Sequence, residues 1–194
     1  MSNTGNSLDT TGSNYKWWVI IAVCWFGIGI ALGLTAPDIT GELLTEDLTA
    51  LEELGTMLGP FQFTTAVFIF LKNVFALLFS FVFSPIILLV PILALLVNGW
   101  VLSFVSAIVV QEESFGYLLG GILPHGIIEI PALIIGEAAA LSFGILAITA
   151  LFSKKQRSLL LPGLKRNLRF LLIACILLIP AAIIETYLTP LFLT

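Results

Sequence analysis

Apolar residues fill this chain in long unbroken runs, unlike the spaced patterns of a soluble fold. The runs cover residues 17–36, 64–83, 86–110, 117–152 and 168–188. An α-helix of about 20 residues spans the roughly 30 Å hydrocarbon core of a bilayer. The pattern therefore predicts an all-α polytopic transmembrane helical bundle of about five spans, which forms a single membrane domain over residues 17–194.

Two prolines complicate the fourth of these runs. The run 117–152 is longer than one bilayer crossing and contains Pro124 and Pro131. Proline lacks a backbone N–H and kinks or ends helices. We therefore expect either a long broken helix or a re-entrant segment followed by a span. The N-terminal residues 1–16 have no apolar periodicity and are expected to form a disordered cytoplasmic tail.

Charged residues are scarce and unevenly distributed. Only 10% of the 194 residues are Asp, Glu, Lys or Arg, the formal net charge is −4, and the mean hydropathy is +1.11. These values exclude an ordinary soluble domain, and the absence of a basic stripe excludes an electrostatic nucleic-acid binder. A cytoplasmic N-terminus with five crossings puts the basic residues of 154–169 inside and the acidic segment 37–63 outside. The positive-inside rule then predicts a multi-pass protein of the cytoplasmic membrane.

The segment 37–63 has a pattern of its own. Leucines recur there at steps of three and four, with acidic residues mostly between them: Leu44, Leu48, Leu51, Leu54 and Leu58. This spacing predicts a short amphipathic helix. It is either a lid packed on the helix ends or a docking surface for a basic partner. The predicted partners are accordingly the lipid bilayer and other membrane or extracytoplasmic proteins.

Ionisable residues at bilayer depth are costly, and four stand out: Lys72, His125, Glu129 and Glu137. His125 and Glu129 are four residues apart, so on a helix they share one face. One interpretation is a polar cluster that clamps the bundle, with Lys72 paired to Glu129 or Glu137. The other is a proton relay or a substrate site, since His and Glu can exchange protons.

Neither the common zinc-protease motif nor the serine-hydrolase motif is present in the sequence. Its single histidine stands in an H-x-x-x-E pattern, which differs from the H-E-x-x-H zinc signature, and there is no G-x-S-x-G elbow. A zinc site would need carboxylates for all its other ligands. We expect no cofactor, no metal and no enzymatic activity, with an intramembrane metalloenzyme kept as a second alternative.

A row of small residues follows the polar positions. It repeats every four residues and comprises Ala132, Gly136, Ala140 and Gly144. Such a ridge lets another helix backbone approach closely. It serves either a neighbour in the same chain or a second copy, so a homo-oligomer is a possible assembly.

The longest recognisable motif lies in the fourth run. Pro124-His125-Gly126-Ile127-Ile128-Glu129-Ile130-Pro131-Ala132, continued through Gly136-Glu137 to Gly144, resembles the signature of the stage II sporulation protein M family of integral membrane proteins. The order of segments over about residues 17–188 is also similar to that family's layout. The resemblance implies that Pro124, His125, Gly126, Glu129 and Pro131 are motif residues. It also implies kinship with a membrane subunit of the engulfment machinery of spore-forming bacteria, which recruits a peptidoglycan hydrolase.

These observations together favour a non-catalytic membrane scaffold or recruiting subunit of a membrane-associated complex. The alternative is a transporter or permease-like subunit with a proton or substrate site at His125 and Glu129. Discontinuous helices near the midplane, as expected around Pro124 and Pro131, are typical of transporter sites.

Overall fold

The structure, a computed structural model, describes residues 9–35 and 59–192. It contains five long helices: α1 (Asp9–Leu34), α2 (Phe63–Phe83), α3 (Leu89–Glu112), α4 (Phe115–Phe152) and α5 (Lys154–Ile183). The chain then continues through a π-helix, Ile184–Leu188, and a 3-10 turn, Thr189–Phe192. Each long helix contains a stretch long and apolar enough to cross a membrane, and no strand occurs within the described ranges. The predicted all-α transmembrane bundle is confirmed.

Helix α4 forms the centre of the bundle. It packs against each of the other four helices. In its most apolar stretch 56% of the residues are buried, against 22–33% in the other four. The core consequently includes four consecutive buried residues of α4, the three alanines 138–140 and Leu141.

The directions of the helices define two ends. Helices α2 and α4 run parallel, because Asn73 contacts Glu129 and Ser80 contacts Glu137. Helices α4 and α5 run antiparallel, since His125 contacts Thr189 and Arg166 contacts Ser142. We call the end where α2 and α4 begin the acidic end, because Glu112 and Glu113 lie beside it. The opposite end, which carries Lys154 and Lys155, is the basic end.

Small residues bring the helix backbones into direct contact. A Cβ atom added to Gly136 would lie 2.7 Å from Leu77 of α2, and one added to Gly144 would lie 2.7 Å from the Ser84 carbonyl oxygen. The small-residue ridge of α4 is therefore occupied by α2 of the same chain. On the other side of the bundle, Gly29 of α1 lies directly against the Leu96 carbonyl of α3.

Helix α4 is continuous, which corrects the prediction of a broken or re-entrant segment. Its 38 residues include Pro124 and Pro131 in helical positions and give it a length of about 57 Å at 1.5 Å per residue. Each proline removes one backbone hydrogen bond, whereas an unwound segment at bilayer depth would leave several backbone groups unpaired. The continuous helix is therefore the better solution.

Two helix ends also differ from the predicted spans. Helix α1 begins at Asp9, so the last part of the tail predicted to be disordered is helical. Helix α5 begins at Lys154 instead of residue 168, and Ser153 alone separates it from α4. Hydropathy marks the membrane-embedded part of a helix, whereas backbone hydrogen bonding continues through polar residues beyond it.

The turn at Ser153 is held by Arg157. Its Nε donates to the Ala150 carbonyl at 2.8 Å and its Nη2 to the Leu151 carbonyl at 2.9 Å. A guanidinium there satisfies the last carbonyls of α4 and complements the negative end of the helix dipole. The predicted acidic helix of 37–63 falls mainly on residues 36–58, outside the described residues.

Candidate functional site

The ionisable residues of the α4 motif lie in the half of the bundle nearer the acidic end. His125 and Glu129 are on adjacent turns of α4, and His125 Nε2 is 3.9 Å from Glu129 Oε2. The side chains retain 17% and 30% of their exposure, respectively, so the pair is not sealed inside the protein. The two residues thus share one face of the helix, as their spacing of four requires.

Glu185 joins this pair from the end of α5. One nitrogen of His125 and one carboxylate oxygen from each of Glu129 and Glu185 all lie within 4.8 Å of one another. Glu185 belongs to the π-helix Ile184–Leu188, and short π segments are frequent at functional sites. We call these three residues the acidic-end cluster.

Pro190 follows the π-helix and leaves one of its carbonyl groups free for another partner. Proline has no N–H to give to the carbonyl four residues earlier, which is that of Thr186. That carbonyl accepts the Phe61 N–H at 3.2 Å instead, from the turn that leads into α2. The start of α2 is thereby attached to the segment that carries Glu185.

Two further side chains orient the cluster. Asn73 of α2 donates from Nδ2 to Glu129 Oε1 at 3.0 Å, which leaves Oε2 on the side of His125. His125 Nδ1 is 3.2 Å from Thr189 Oγ1, which leaves Nε2 on the side of the carboxylate. The His125 ring and the Glu129 carboxylate are therefore each held by a hydrogen bond on the side that faces away from the other residue.

Lys72 does not make the predicted ion pair with Glu129 or Glu137. Within the described parts of the chain, His125 with Glu129 is the one such pair within 4.0 Å. Lys72 lies on the exposed face of α2, beside a groove of about 520 Å³ lined by apolar side chains. Its positive charge acts on Glu185 from a distance. The neighbouring residue, Asn73, takes the inward position, because consecutive residues of a helix differ by about 100°.

Glu137 lies apart from the acidic-end cluster. It is 1% exposed, and its Oε2 accepts a hydrogen bond from Ser80 Oγ of α2. Eight residues separate it from Glu129, which corresponds to about 12 Å along the helix axis. The predicted polar residues of α4 thus form two separate contacts with α2.

The other motif residues, Pro124, Gly126 and Pro131, belong to α4 but not to the acidic-end cluster. Pro124 is half-buried, Pro131 is exposed and Gly126 is buried. A Cβ on Gly126 would meet only side chains of its own helix, at 3.3 Å from Ile122 and 3.8 Å from Ile130. The structure therefore separates the motif into two groups: His125 and Glu129, which make the cluster, and the prolines and glycine, which do not.

Sequence reasoning missed Glu185 and Thr189. Both lie near the end of the last apolar run, which was predicted to be an ordinary span. The signal for Glu185 was available, because a carboxylate inside an apolar run is costly there as well. Nothing in the sequence indicated that it would meet residues of α4.

The chemistry available at the acidic-end cluster is that of a cation or proton site. It offers one imidazole nitrogen and two carboxylates, and it is the one group of three such ligands found among the described residues.

Comparison with known proteins adds the family context. The family model described as Stage II sporulation protein M matches residues 19–190. Two uncharacterized proteins of Methanocaldococcus jannaschii are similar to the chain. MJ0793 is 34% identical over 97 residues, which are 50% of this chain and 54% of that protein. MJ0706 is 38% identical over 95 residues, which are 48% of this chain and 42% of that protein.

The similar region therefore spans about half the length of these relatives. No solved structure matches the chain.

Proposed function

Since the chain belongs to the stage II sporulation protein M family, we propose that it is a non-catalytic membrane subunit that holds or recruits partner proteins. Its five long apolar helices make it a multi-pass membrane protein. In the proposed orientation the basic end lies in the cytoplasm and the acidic end outside the cytoplasmic membrane, as the positive-inside rule favours.

The observation that carries this proposal is how the bundle uses its intramembrane polar groups. Several of them bond across helices: Ser80 with Glu137, Asn73 with Glu129 and His125 with Thr189, while Arg166 nearer the basic end bonds Ser142. Together these contacts join α2, α4 and α5. Interhelical hydrogen bonds in membranes contribute about 0.6 kcal/mol on average and up to about 1.7. Such clamps favour one fixed arrangement, which suits a scaffold.

The surface proposed for the partner is the acidic segment between α1 and α2. It carries four acids close together in sequence, Glu46, Asp47, Glu52 and Glu53. A partner with a basic face would be drawn to this segment by charge complementarity. A second copy of the chain remains a further predicted partner.

Neutralising this segment tests the proposal. The four acids are changed together to Gln or Asn, and proteins crosslinked to the full chain in intact membranes are identified by mass spectrometry. The matched control is Glu112→Gln with Glu113→Gln, which removes acids from the acidic end but leaves the segment intact. We expect a stable external partner to be lost in the first variant and kept in the control. Equal retention in both would contradict recruitment through the acidic segment.

A transport function is the second candidate, and one observation favours it. The side chains of His125 and Glu129 are 17% and 30% exposed, so the cluster is partly accessible from outside the bundle. Single cysteines are introduced in a chain lacking Cys24 and Cys175, and a membrane-impermeant thiol reagent is applied to intact membranes. The tested positions are His125, Gly126, Glu129 and Ala132. Labelling there would favour transport, whereas protection would favour the scaffold.

A further inference from the structure

We propose that His125, Glu129 and Glu185 bind a first-row divalent metal ion of the zinc or manganese class. This inference goes beyond the recruiting function and does not depend on it.

The distances within the cluster suit such an ion after small side-chain movements. Its ligand atoms lie within 4.8 Å of one another, and His125 Nε2 is 3.9 Å from Glu129 Oε2. A zinc ion bound at 2.0–2.2 Å by nitrogen and oxygen holds its ligands about 3.3 Å apart. The His125–Glu129 pair would have to close by about 0.6 Å, and the widest pair by no more than about 1.5 Å. The rotatable bonds of a glutamate side chain allow such a change without moving the helix.

The donor set selects the class of metal. Calcium and magnesium take oxygen ligands, whereas imidazole suits zinc, iron and neighbouring transition metals, and carboxylates suit manganese as well. One nitrogen and two carboxylates therefore match a first-row ion better than a hard cation. Three protein ligands would leave at least one coordination position for water.

The contacts behind the ligands match those of known metal sites. Metal-binding histidines almost always bond through their other ring nitrogen, and ligating carboxylates are themselves hydrogen-bonded. Here Thr189 holds His125 Nδ1 at 3.2 Å and Asn73 holds Glu129 Oε1 at 3.0 Å. Nε2 and Oε2 are therefore left facing the position that an ion would take.

Charge balance in the cluster also favours a cation. Glu129 and Glu185 bring two half-buried carboxylates close together, and two like charges at short range disfavour each other. Lys72 forms no ion pair within 4.0 Å among the described residues, although its charge acts on Glu185 from farther away. A divalent ion between the carboxylates would compensate both, and the positive charge of Lys72 would weaken its binding.

The test measures binding of the metal alone to the purified full chain in detergent micelles. The protein is stripped with a chelator, and Zn²⁺ and Mn²⁺ are titrated separately by calorimetry, with Mg²⁺ as the control ion. We expect one Zn²⁺ or Mn²⁺ per chain at this site. His125→Gln and Glu185→Gln should each weaken binding at least tenfold. Asn73→Ala should weaken it by roughly 10- to 100-fold, as removal of a supporting contact does elsewhere.

Two variants distinguish this site from other acids of the chain. Glu137→Gln alters an intramembrane glutamate outside the cluster and should leave the affinity unchanged. Lys72→Met removes the repelling charge and should tighten binding. This variant also keeps the test decisive if His125→Gln or Glu185→Gln fails to fold, because Lys72 is exposed.

Three results would overturn the proposal. They are an absence of stoichiometric Zn²⁺ or Mn²⁺ binding, equal affinity in the wild type and in folded Glu185→Gln, and unchanged or weaker binding in Lys72→Met. Equal affinity would assign the metal to other acidic residues. If the protein binds no metal but still holds its partner protein, the metal site is refuted and the recruiting function is not.

Discussion

The hydrogen bond between Ser80 and Glu137 allows a quantitative test of the packing between α2 and α4. Both residues are 1% exposed, and Ser80 supplies the one side-chain hydrogen bond to Glu137 within the described structure. Ser80→Ala removes the donor and leaves the buried carboxyl group without a partner. An unsatisfied buried group costs about 1–3 kcal/mol. We therefore expect a loss in that range, above the membrane average of about 0.6 kcal/mol for an interhelical hydrogen bond.

A double variant separates this cost from a general loss of packing. Removing both polar partners is less costly than stranding one of them. Ser80→Ala with Glu137→Leu should therefore be more stable than Ser80→Ala alone. Unfolding is followed by circular dichroism in mixed micelles with increasing SDS.

The control for this experiment is Ser106→Ala. Ser106 bonds the Leu102 carbonyl of its own helix at 2.5 Å, so its removal strands no side chain of another helix. Its effect should stay within about 0.5 kcal/mol. The reasoning fails if Ser80→Ala lowers the stability as little as this control does. It also fails if the double variant loses as much stability as Ser80→Ala and Glu137→Leu lose together when measured singly.

Three other predictions concern helix packing, the helical turn and the topology. Gly29→Ala puts a methyl group against the Leu96 carbonyl and should lower the melting temperature. A methyl group at Gly27 would meet no other atom within 4 Å, so the control Gly27→Ala should be neutral or stabilising by up to about 1 kcal/mol. Arg157→Gln removes two hydrogen bonds at the end of α4, so it should lower the stability by about 1–3 kcal/mol and speed proteolysis at the turn. The control Lys155→Gln should change neither, and equal proteolysis of the two variants would refute the capping role of Arg157. In a chain without native cysteines, cysteines at Glu113 and Lys155 should be labelled from outside and inside the cell, respectively; labelling of both from one side would exclude five crossings.

The number of spans was predictable because hydropathy is a local property. Each long apolar run became a helix, and the 3.6-residue period placed His125 and Glu129 on one face. The break in α4 was wrongly predicted, because proline propensity was given more weight than the demand of the bilayer for paired backbone groups.

The composition of the cluster depended on tertiary packing that the sequence does not encode locally. Helix α2 is apolar on all sides, so nothing revealed whether Lys72 or Asn73 would face α4. The inward position of Asn73 follows from the rotation of α2 about its axis. Glu185 belongs to the π-helix at the end of α5, and the same segment accepts a hydrogen bond from the turn before α2 through the Thr186 carbonyl.

The parallel pairing of α2 with α4 has a consequence for synthesis of the chain. The partners of Asn73 and Ser80 come 56 and 57 residues later in the sequence. At the usual 5–20 residues per second, α2 would leave the ribosome roughly 3–11 s before those partners. During that interval its amide and hydroxyl groups must be satisfied by water, by their own helix or by the insertion machinery. Helix α4 therefore arrives as the element that completes an unfinished bundle, and the pairing of α2 is a late event in its biogenesis.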